Sequence, residues 1–287
     1  GKPCAGKPHA RFDEGGQARA CPLLYPMVHA RTFRLLILLV AAAAVALFYF
    51  TRDTGPPGWD RPLRVVIYPE NVDGSREARG HIDALEPDRF EAVEAYMAEQ
   101  AGRYDPGIDK PFEMKLAEPI DDAPTAPDYE SFWTYLRWGI SLRWWYWTVD
   151  GREHDADIIV IARYGARESS GRLHSLGIPA MNLAVVNLQA GTDARGLNNV
   201  LVAHELLHTV GASDLYDPAT GLPRYPDGYV EPDREPLYSQ PAAEVMAGRI
   251  PVAQGRAEQA RRLARVVIGA KTGGEIGWFK RSESESL

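Results

Sequence analysis

Two histidines four residues apart, with a glutamate between them, are the side chains of this sequence best suited to chemistry. They are His204, Glu205 and His208, in the stretch VLVAHELLHTVGASD. Because positions i and i+4 share one face of an α-helix, both imidazoles can reach one metal ion. Glu205 lies about 100° further round the helix, since a turn takes roughly 3.6 residues, so its carboxylate is predicted beside that ion.

This set of donors predicts zinc. Two neutral imidazoles, a carboxylate and an open fourth position are typical of catalytic zinc, whereas closed four-ligand sites are structural. Zinc lowers the pKa of a bound water to about 7, and Glu205 could take its proton and pass it to a leaving amine. The alternative is an amphipathic helix with two surface histidines. With seven histidines in the chain, a chance match to the pattern is on the order of one per cent.

The third ligand is predicted beyond the end of this helix. Gly211 tolerates the left-handed conformation that ends helices, and Asp214 follows closely enough to turn back towards the metal. The alternative is a glutamate from a second, downstream helix, at Glu231 or Glu235. Five prolines interrupt that segment and disfavour a regular helix, so we expect Asp214 to be the ligand.

The whole run H-E-x-x-H-x-x-G-x-x-D resembles the metzincin metallopeptidases, in which the last residue is usually His. An Asp at this position is similar to the snapalysin and immune inhibitor A branches. The resemblance implies a zinc endopeptidase in which His204, His208 and Asp214 hold the metal and Glu205 is the general base. It also implies a twisted sheet packed on two long helices, with a cleft between subdomains.

The resemblance further implies a methionine in a tight turn beneath the metal. Met246, the only methionine after the helix, is the candidate. Several metzincins place a tyrosine two residues later, which helps to stabilise the oxyanion, but Gly248 occupies that position here. The candidates to replace it are Tyr225, Tyr229 and Tyr238, and the sequence selects none of them.

In metzincins the strand before the active helix borders the cleft and pairs with extended substrate. The corresponding segment here is Ala180–Leu188. Backbone pairing at such an edge binds peptides with little dependence on their side chains. We therefore expect substrate contacts from Asn182, Ala184 and Val186.

Composition excludes some classes of protein. A net charge of −7 argues against a nucleic-acid binder, which needs a basic face. The two cysteines, Cys4 and Cys21, precede the folded region, so no thiolate is available there as a metal ligand. The loop after Asp214 is acidic enough for a Ca²⁺ site, although a solvated loop is the simpler interpretation.

An apolar run near the N-terminus predicts a membrane anchor. Leu35–Phe50 holds sixteen apolar residues, and a helix that includes two preceding residues spans roughly 27 Å, just enough for a bilayer core. Arg31 and Arg34 precede the run and place the N-terminus in the cytoplasm and the rest of the chain outside that membrane. The alternative is a cleaved signal peptide, which would release a secreted protein. The bulky end of the run favours an uncleaved anchor.

Hydrophobic periodicity predicts one α/β domain behind this anchor. The predicted strands are Leu63–Tyr68, Phe112–Leu116, Asp157–Ala162 and Ile178–Leu188. The predicted helices are Pro87–Gly102, the tryptophan-rich Tyr129–Trp147, the helix with the two histidines, and Gln254–Gly269. The predicted parts are a disordered or non-native extension at 1–26, the anchor at 27–53, a linker at 54–61, the domain at 62–280 and a disordered tail at 281–287.

The sequence thus predicts a membrane-anchored zinc endopeptidase that acts on proteins or peptides outside the cytoplasmic membrane. One alternative is a catalytically silent zinc-binding scaffold that holds a partner chain at the membrane. The intact Glu205 argues against that reading, because a scaffold has no physical need for the carboxylate. Another alternative is a zinc amidase that acts on cell-wall material, which substrate profiling distinguishes from a peptidase.

Overall fold

A computed structural model of the 287-residue chain describes residues 32–42, 57–121, 123–124, 132–150, 156–166, 175–178 and 181–279. The chain forms two units, Gly1–Asp53 and Thr54–Leu287. In the first unit, residues 32–42 form an exposed helix, α1. No helix within the described ranges is both long and apolar enough to cross a membrane. The rest of the predicted anchor, the predicted extension at 1–26 and the tail at 281–287 lie outside those ranges.

A five-stranded, mostly parallel sheet organises the second unit. Its strands are β1 (Leu63–Asn71), β2 (Phe112–Leu116), β3 (Ile158–Gly165), β4 (Leu176–Ile178) and β5 (Leu183–Gln189). Their order across the sheet is β2-β1-β3-β5-β4. The first four strands of that order are parallel, and β4 runs antiparallel to β5 at one edge.

Helices and short strands complete this unit. The helices are α2 (Arg76–Asp83), α3 (Glu91–Ala101), α4 (Phe132–Asp150), α5 (Arg195–Thr209) and α6 (Ala270–Glu275). The remaining strands are β6 (Ala243–Glu244), β7 (Arg249–Ala253), β8 (Arg256–Gln259) and β9 (Val266–Val267). β6 pairs in parallel with β9, and β7 pairs antiparallel with β8. The predicted mixed α/β class is confirmed.

Both faces of the sheet are buried. Side chains on one face, such as Val65 and Ile67, join a core with residues of α3 and α5. Side chains on the other face, such as Val66, join a second core with α4. Strands covered on both faces are apolar at consecutive positions, which is why the sequence showed them as continuous apolar runs.

The tryptophan-rich helix α4 contributes to the second core. Trp138, Leu142 and Trp145 are buried against the sheet. They follow i, i+4 and i+7 spacing, which lines up one face of a helix. Trp144 is 68% exposed and lies off that face.

Two predicted elements were wrong. The helix predicted at Gln254–Gly269 is replaced by β8, a 3₁₀ turn at Leu263–Arg265 and β9. Good helix formers fill this segment, but Gly255, with φ of 69°, turns the chain so that β8 pairs with β7. The pairing of β8 with β7 outweighs the intrinsic preference of this segment for a helix.

The strand predicted at Ile178–Leu188 is two strands. Asn182 has φ of 49°, in the left-handed region that breaks an extended strand. The chain therefore reverses, and Ile178 of β4 pairs with Leu183 of β5. Among the described strands, this reversal places β4, rather than β5, at the edge of the sheet.

Candidate metal centre

The turn after α5 returns the chain towards the helix. α5 ends at Thr209, and Gly211 has φ of 105°, a conformation that L side chains rarely adopt. The Gly211 N–H donates to the carbonyl of His208 at 3.1 Å. Glycine thus permits the reversal that the sequence predicted, and Asp214 follows it.

The structure brings the three predicted ligands together. His204 Nε2 and His208 Nε2 each lie 3.2 Å from Asp214 Oδ1. One ligand atom from each of the three residues lies within 4.8 Å of the other two, a spacing that could hold a metal ion. The imidazole planes are nearly perpendicular, at 87°.

Backbone carbonyls orient both imidazoles. His204 Nδ1 donates to the carbonyl of Val245 at 2.9 Å, and His208 Nδ1 donates to the carbonyl of Ala212 at 2.8 Å. Because a carbonyl oxygen can only accept, the proton of each neutral ring is on Nδ1. Each Nε2 therefore presents a lone pair towards Asp214, as a metal ligand must.

The electrostatics of the group fit a cation. Asp214 Oδ1 is buried and has no hydrogen-bond donor in the described part of the chain. Burial alone would raise the pKa of Asp214, but His204 and His208 outweigh it and lower the pKa well below its usual range. Burial alone would lower the pKa of His204, but Asp214 and Glu205 outweigh it and raise the pKa. Three facing lone pairs are stabilised by a positive charge between them.

Glu205 is buried beside the ligands, with 6% of its surface exposed. The backbone N–H of Gly177 lies near its carboxylate and favours the charged form. Burial raises the pKa of Glu205, while His204 and His208 partly oppose the rise. The carboxylate is consequently a stronger proton acceptor than one in water.

Strand β4 lies directly against the helix that bears the ligands. A Cβ atom added to Gly177 would lie 2.3 Å from His208 Cβ and 3.0 Å from the Glu205 carbonyl oxygen. Only glycine allows this close approach. The approach places β4 next to the residues that could hold a metal ion.

The predicted substrate contacts need correction. Ala184 pairs with Val160 of β3 and with Gly177 of β4, so β5 is an interior strand at this point. Ala184 and Val186 are fully buried, and Asn182 lies in the turn between β4 and β5. The edge that the resemblance assigned to Ala180–Leu188 belongs to β4, because the chain reverses at Asn182.

Met246 lies in a tight turn next to both ligand segments. It is fully buried, and the N–H of Gly248 donates to the Glu244 carbonyl at 2.9 Å. The carbonyl of Met246 accepts from the N–H of Leu215 at 3.0 Å, which ties the turn to the segment that bears Asp214. Gly248 has φ of 68°, as the predicted turn requires.

The sequence analysis missed two carboxylates that support the segments around the site. Glu244 is fully buried and accepts from Thr272 Oγ1 at 2.7 Å and from the N–H of Gly269 at 3.0 Å. Glu275, at the end of α6, accepts from the N–H of Ser213 at 2.9 Å and from Ser213 Oγ. Helix α6 and its flanks thus brace both the methionine turn and the loop of the third ligand. No local pattern marked these residues, because their partners are distant in the chain.

Tyr216 was also missed as a site residue. Its hydroxyl interacts with the Asp214 carboxylate. Burial, together with the nearby Asp214 and Glu205 carboxylates, raises the pKa of Tyr216 to about 12, so the phenol stays protonated. Its position two residues after Asp214 was the available signal. The candidates Tyr225, Tyr229 and Tyr238 pack on one another, with ring centroids 5.5 and 6.3 Å apart in the two contacts.

The alternative ligands do not join this group. Glu231 forms an ion pair with Arg234 at 2.9 Å. In the ranges that the structure describes, His204, His208 and Asp214 are the one cluster with metal-ligand spacing, so the acidic loop shows no second, calcium-like group.

Comparison with known proteins found no match, either to a protein-family model or to a curated protein. The geometry supplies three convergent side chains that could hold a metal ion, a buried carboxylate beside them and a phenol that interacts with Asp214. An edge strand lies against the same helix.

Proposed function

We propose that this protein is a zinc endopeptidase of metzincin type that hydrolyses peptide bonds with Glu205 as general base. The observation that carries the proposal is the convergence of His204, His208 and Asp214 beside the buried Glu205. Two imidazoles and one carboxylate suit zinc, and three protein ligands leave the fourth position open for chemistry. A closed four-ligand structural site lacks that position.

Zinc held by His204, His208 and Asp214 would polarise a carbonyl oxygen and lower the pKa of a water. Glu205 accepts the proton of the attacking water, and its raised pKa makes it an effective base. The protonated carboxyl then delivers that proton to the leaving amine. The Gly177 N–H, near this carboxylate, favours its charged form before the first transfer.

Tyr216 is suited to stabilise the negative charge that develops on the substrate oxygen. Its high pKa keeps the hydroxyl protonated, so it can donate a hydrogen bond to an oxyanion. That hydroxyl interacts with Asp214, next to the predicted metal position. Tyr216 thus supplies the function that Gly248 cannot supply after the methionine.

Strand β4 supports a peptide as the substrate. It is the last strand of the sheet on its side, and Gly177 within it contacts both Glu205 and His208. An extended peptide can add to such an edge through its backbone, which brings one of its peptide bonds to the ligands. The substrate contacts are therefore proposed for Leu176–Ile178. Attachment to a membrane, with the domain outside the cytoplasm, stays a prediction from the apolar run.

The test uses the full chain, purified in detergent, with a mixture of unmodified peptides read by mass spectrometry. We expect one zinc per chain, cleavage that stops with a chelator and returns with zinc, and at least a hundredfold lower kcat in Glu205→Gln. Glu258→Gln, on the exposed strand β8, is the matched control and should keep full activity.

Three outcomes would contradict the proposal. Equal turnover by wild type and Glu205→Gln removes the mechanism. Stoichiometric zinc without turnover favours the scaffold, whereas release of cell-wall amides with intact peptides favours the amidase.

A further inference from the structure

A second polar cluster lies in the core, formed by α2, the segment before α3, β3 and α5. The rings of His81 and Tyr164 are 4.8 Å apart. Arg89 interacts with the Tyr164 hydroxyl, and its Nη1 donates to Asn199 Oδ1 at 2.7 Å. These four residues come from four different segments, so the cluster exists only in the folded chain.

Arg89 is a buried cation without a carboxylate partner among the described residues. Its side chain is 5% exposed, and Nη2 has no hydrogen-bond acceptor there. Its other contacts are neutral: the Asn199 amide and the ring of Phe90 at 5.0 Å. The charged side chain that acts on it is another cation, Arg195, which lowers the pKa of Arg89 further. Arginine stays protonated in proteins, so burial without a counter-charge is costly.

His81 adds a second donor without an acceptor. The N–H of Gly191 donates to His81 Nδ1 at 3.3 Å, so that nitrogen accepts and the ring proton lies on Nε2. Nε2 is buried and has no partner in the described part of the chain. Burial lowers the pKa of His81, and the exposed Glu77 only partly opposes this, so the ring is neutral.

Tyr164 adds a third donor without an acceptor. It is fully buried, and its hydroxyl has no partner at hydrogen-bond distance within the described ranges. Burial raises the pKa of Tyr164 to about 12, which keeps the hydroxyl protonated. The cluster therefore combines a guanidinium, an imidazole N–H and a phenol, and each of them has a hydrogen to donate.

We propose that His81, Arg89 and Tyr164 bind one small monovalent anion, of which chloride is the simplest. A water molecule could accept from two of these donors, but it would leave the guanidinium charge uncompensated. An anion satisfies the donors and the charge together. Because Arg89 also holds Asn199 of α5, the anion braces the helix that bears His204 and His208.

The experiment measures the unfolding temperature of the full chain in sodium chloride, sodium formate and sodium gluconate at equal ionic strength. Chloride should raise the temperature along a saturation curve, by about 5 to 10 °C at roughly a hundred times its Kd. Gluconate is too large for a buried site and should give no such curve. If formate stabilises better than chloride, the resident anion is a carboxylate. A chelator in every sample separates the effect from zinc.

Arg89→Gln should abolish the chloride response, and Arg79→Gln, an exposed arginine of α2, should keep it. Crystals of the wild-type chain grown in bromide provide a measurement that needs no variant. They should show an anomalous peak between Arg89, His81 and Tyr164. A water at that position, equal stabilisation by chloride and gluconate, or an unchanged response in Arg89→Gln would each overturn the proposal.

Discussion

His204 Nδ1 lies 2.9 Å from the backbone carbonyl oxygen of Val245, 41 residues further along the chain. This bond selects the ring tautomer that a metal ligand needs, so the orientation of His204 depends on the position of the Val245 backbone. The neighbouring residue Glu244 holds that backbone. Its buried carboxylate accepts from the N–H groups of Met246 at 2.6 Å and Ala247 at 3.2 Å.

We therefore predict that Glu244→Gln weakens zinc binding. The glutamine amide turns donor hydrogens towards groups that already donate, which loosens the turn and the Val245 carbonyl with it. Loss of such a supporting contact lowers metal affinity by about 10- to 100-fold. Competition with a chromophoric chelator measures the affinity, with Glu258→Gln as control. Unchanged affinity in a folded Glu244→Gln protein would refute the supporting role.

Tyr216→Phe should lower kcat and leave zinc affinity nearly unchanged. The substitution removes a hydroxyl that the proposed mechanism uses only as charge develops, and such donors contribute about 10²- to 10³-fold to kcat. Peptidase kinetics and chelator competition on the same preparations separate the two effects. Tyr225→Phe is the control, because that side chain is 61% exposed. Equal kcat in the two variants would assign Tyr216 a purely structural role.

Gly177→Ala should destabilise the protein and impair zinc binding. The new methyl group would lie 2.3 Å from His208 Cβ, so β4 or α5 must shift. Overpacking of this kind costs about 1–3 kcal/mol. Gly80→Ala is the same substitution in α2, where nothing lies within 4 Å of the added Cβ, and it should stabilise by about 0.5–1 kcal/mol. Urea unfolding of both variants shows whether each substitution raises or lowers the free energy of unfolding. If both variants were stabilised, the close approach of Gly177 to His208 would be refuted.

Asp157 should contribute to stability only above acidic pH. Its carboxylate accepts from the Arg61 guanidinium at 2.6 and 2.7 Å and from the Arg64 N–H at 2.9 Å. These bonds, Arg61 first, lower the pKa of Asp157 in the folded protein. The unfolded chain therefore takes up the proton at higher pH than the folded chain. The stabilisation is present above about pH 4 and is lost as the pH falls through the folded pKa.

The free energy of unfolding, measured for Asp157→Asn and for wild type across this pH range, tests the predicted direction of the pH dependence. The wild type should be more stable at neutral pH, by a small amount because the Arg61 side chain is 55% exposed, and the difference should vanish in acid. Glu118→Gln, at an exposed carboxylate, should show no such convergence with wild type. A difference that grows as the pH falls would contradict the predicted direction.

The central strands β1 and β3 were predictable because each carries a continuous apolar run that is buried on both faces of the sheet. β1 begins at the predicted Leu63, and the edge strand β2 matches the predicted Phe112–Leu116. The helix predicted for residues 254–269 was wrong for the opposite reason. Its residues favour a helix locally, and only pairing across the turn at Gly255 makes it extended.

The sequence by itself determined the ligand group, because His204, His208 and Asp214 lie within eleven residues of one another. Helix periodicity and one glycine bend are local properties, and they suffice to bring three side chains to one point. Tertiary structure alone decided what surrounds that point. Gly177 approaches from the sheet edge, and Glu244 braces the ligand segment from beyond it. Such contacts join segments far apart in the chain, and packing of the folded core selects them rather than any local pattern of residues.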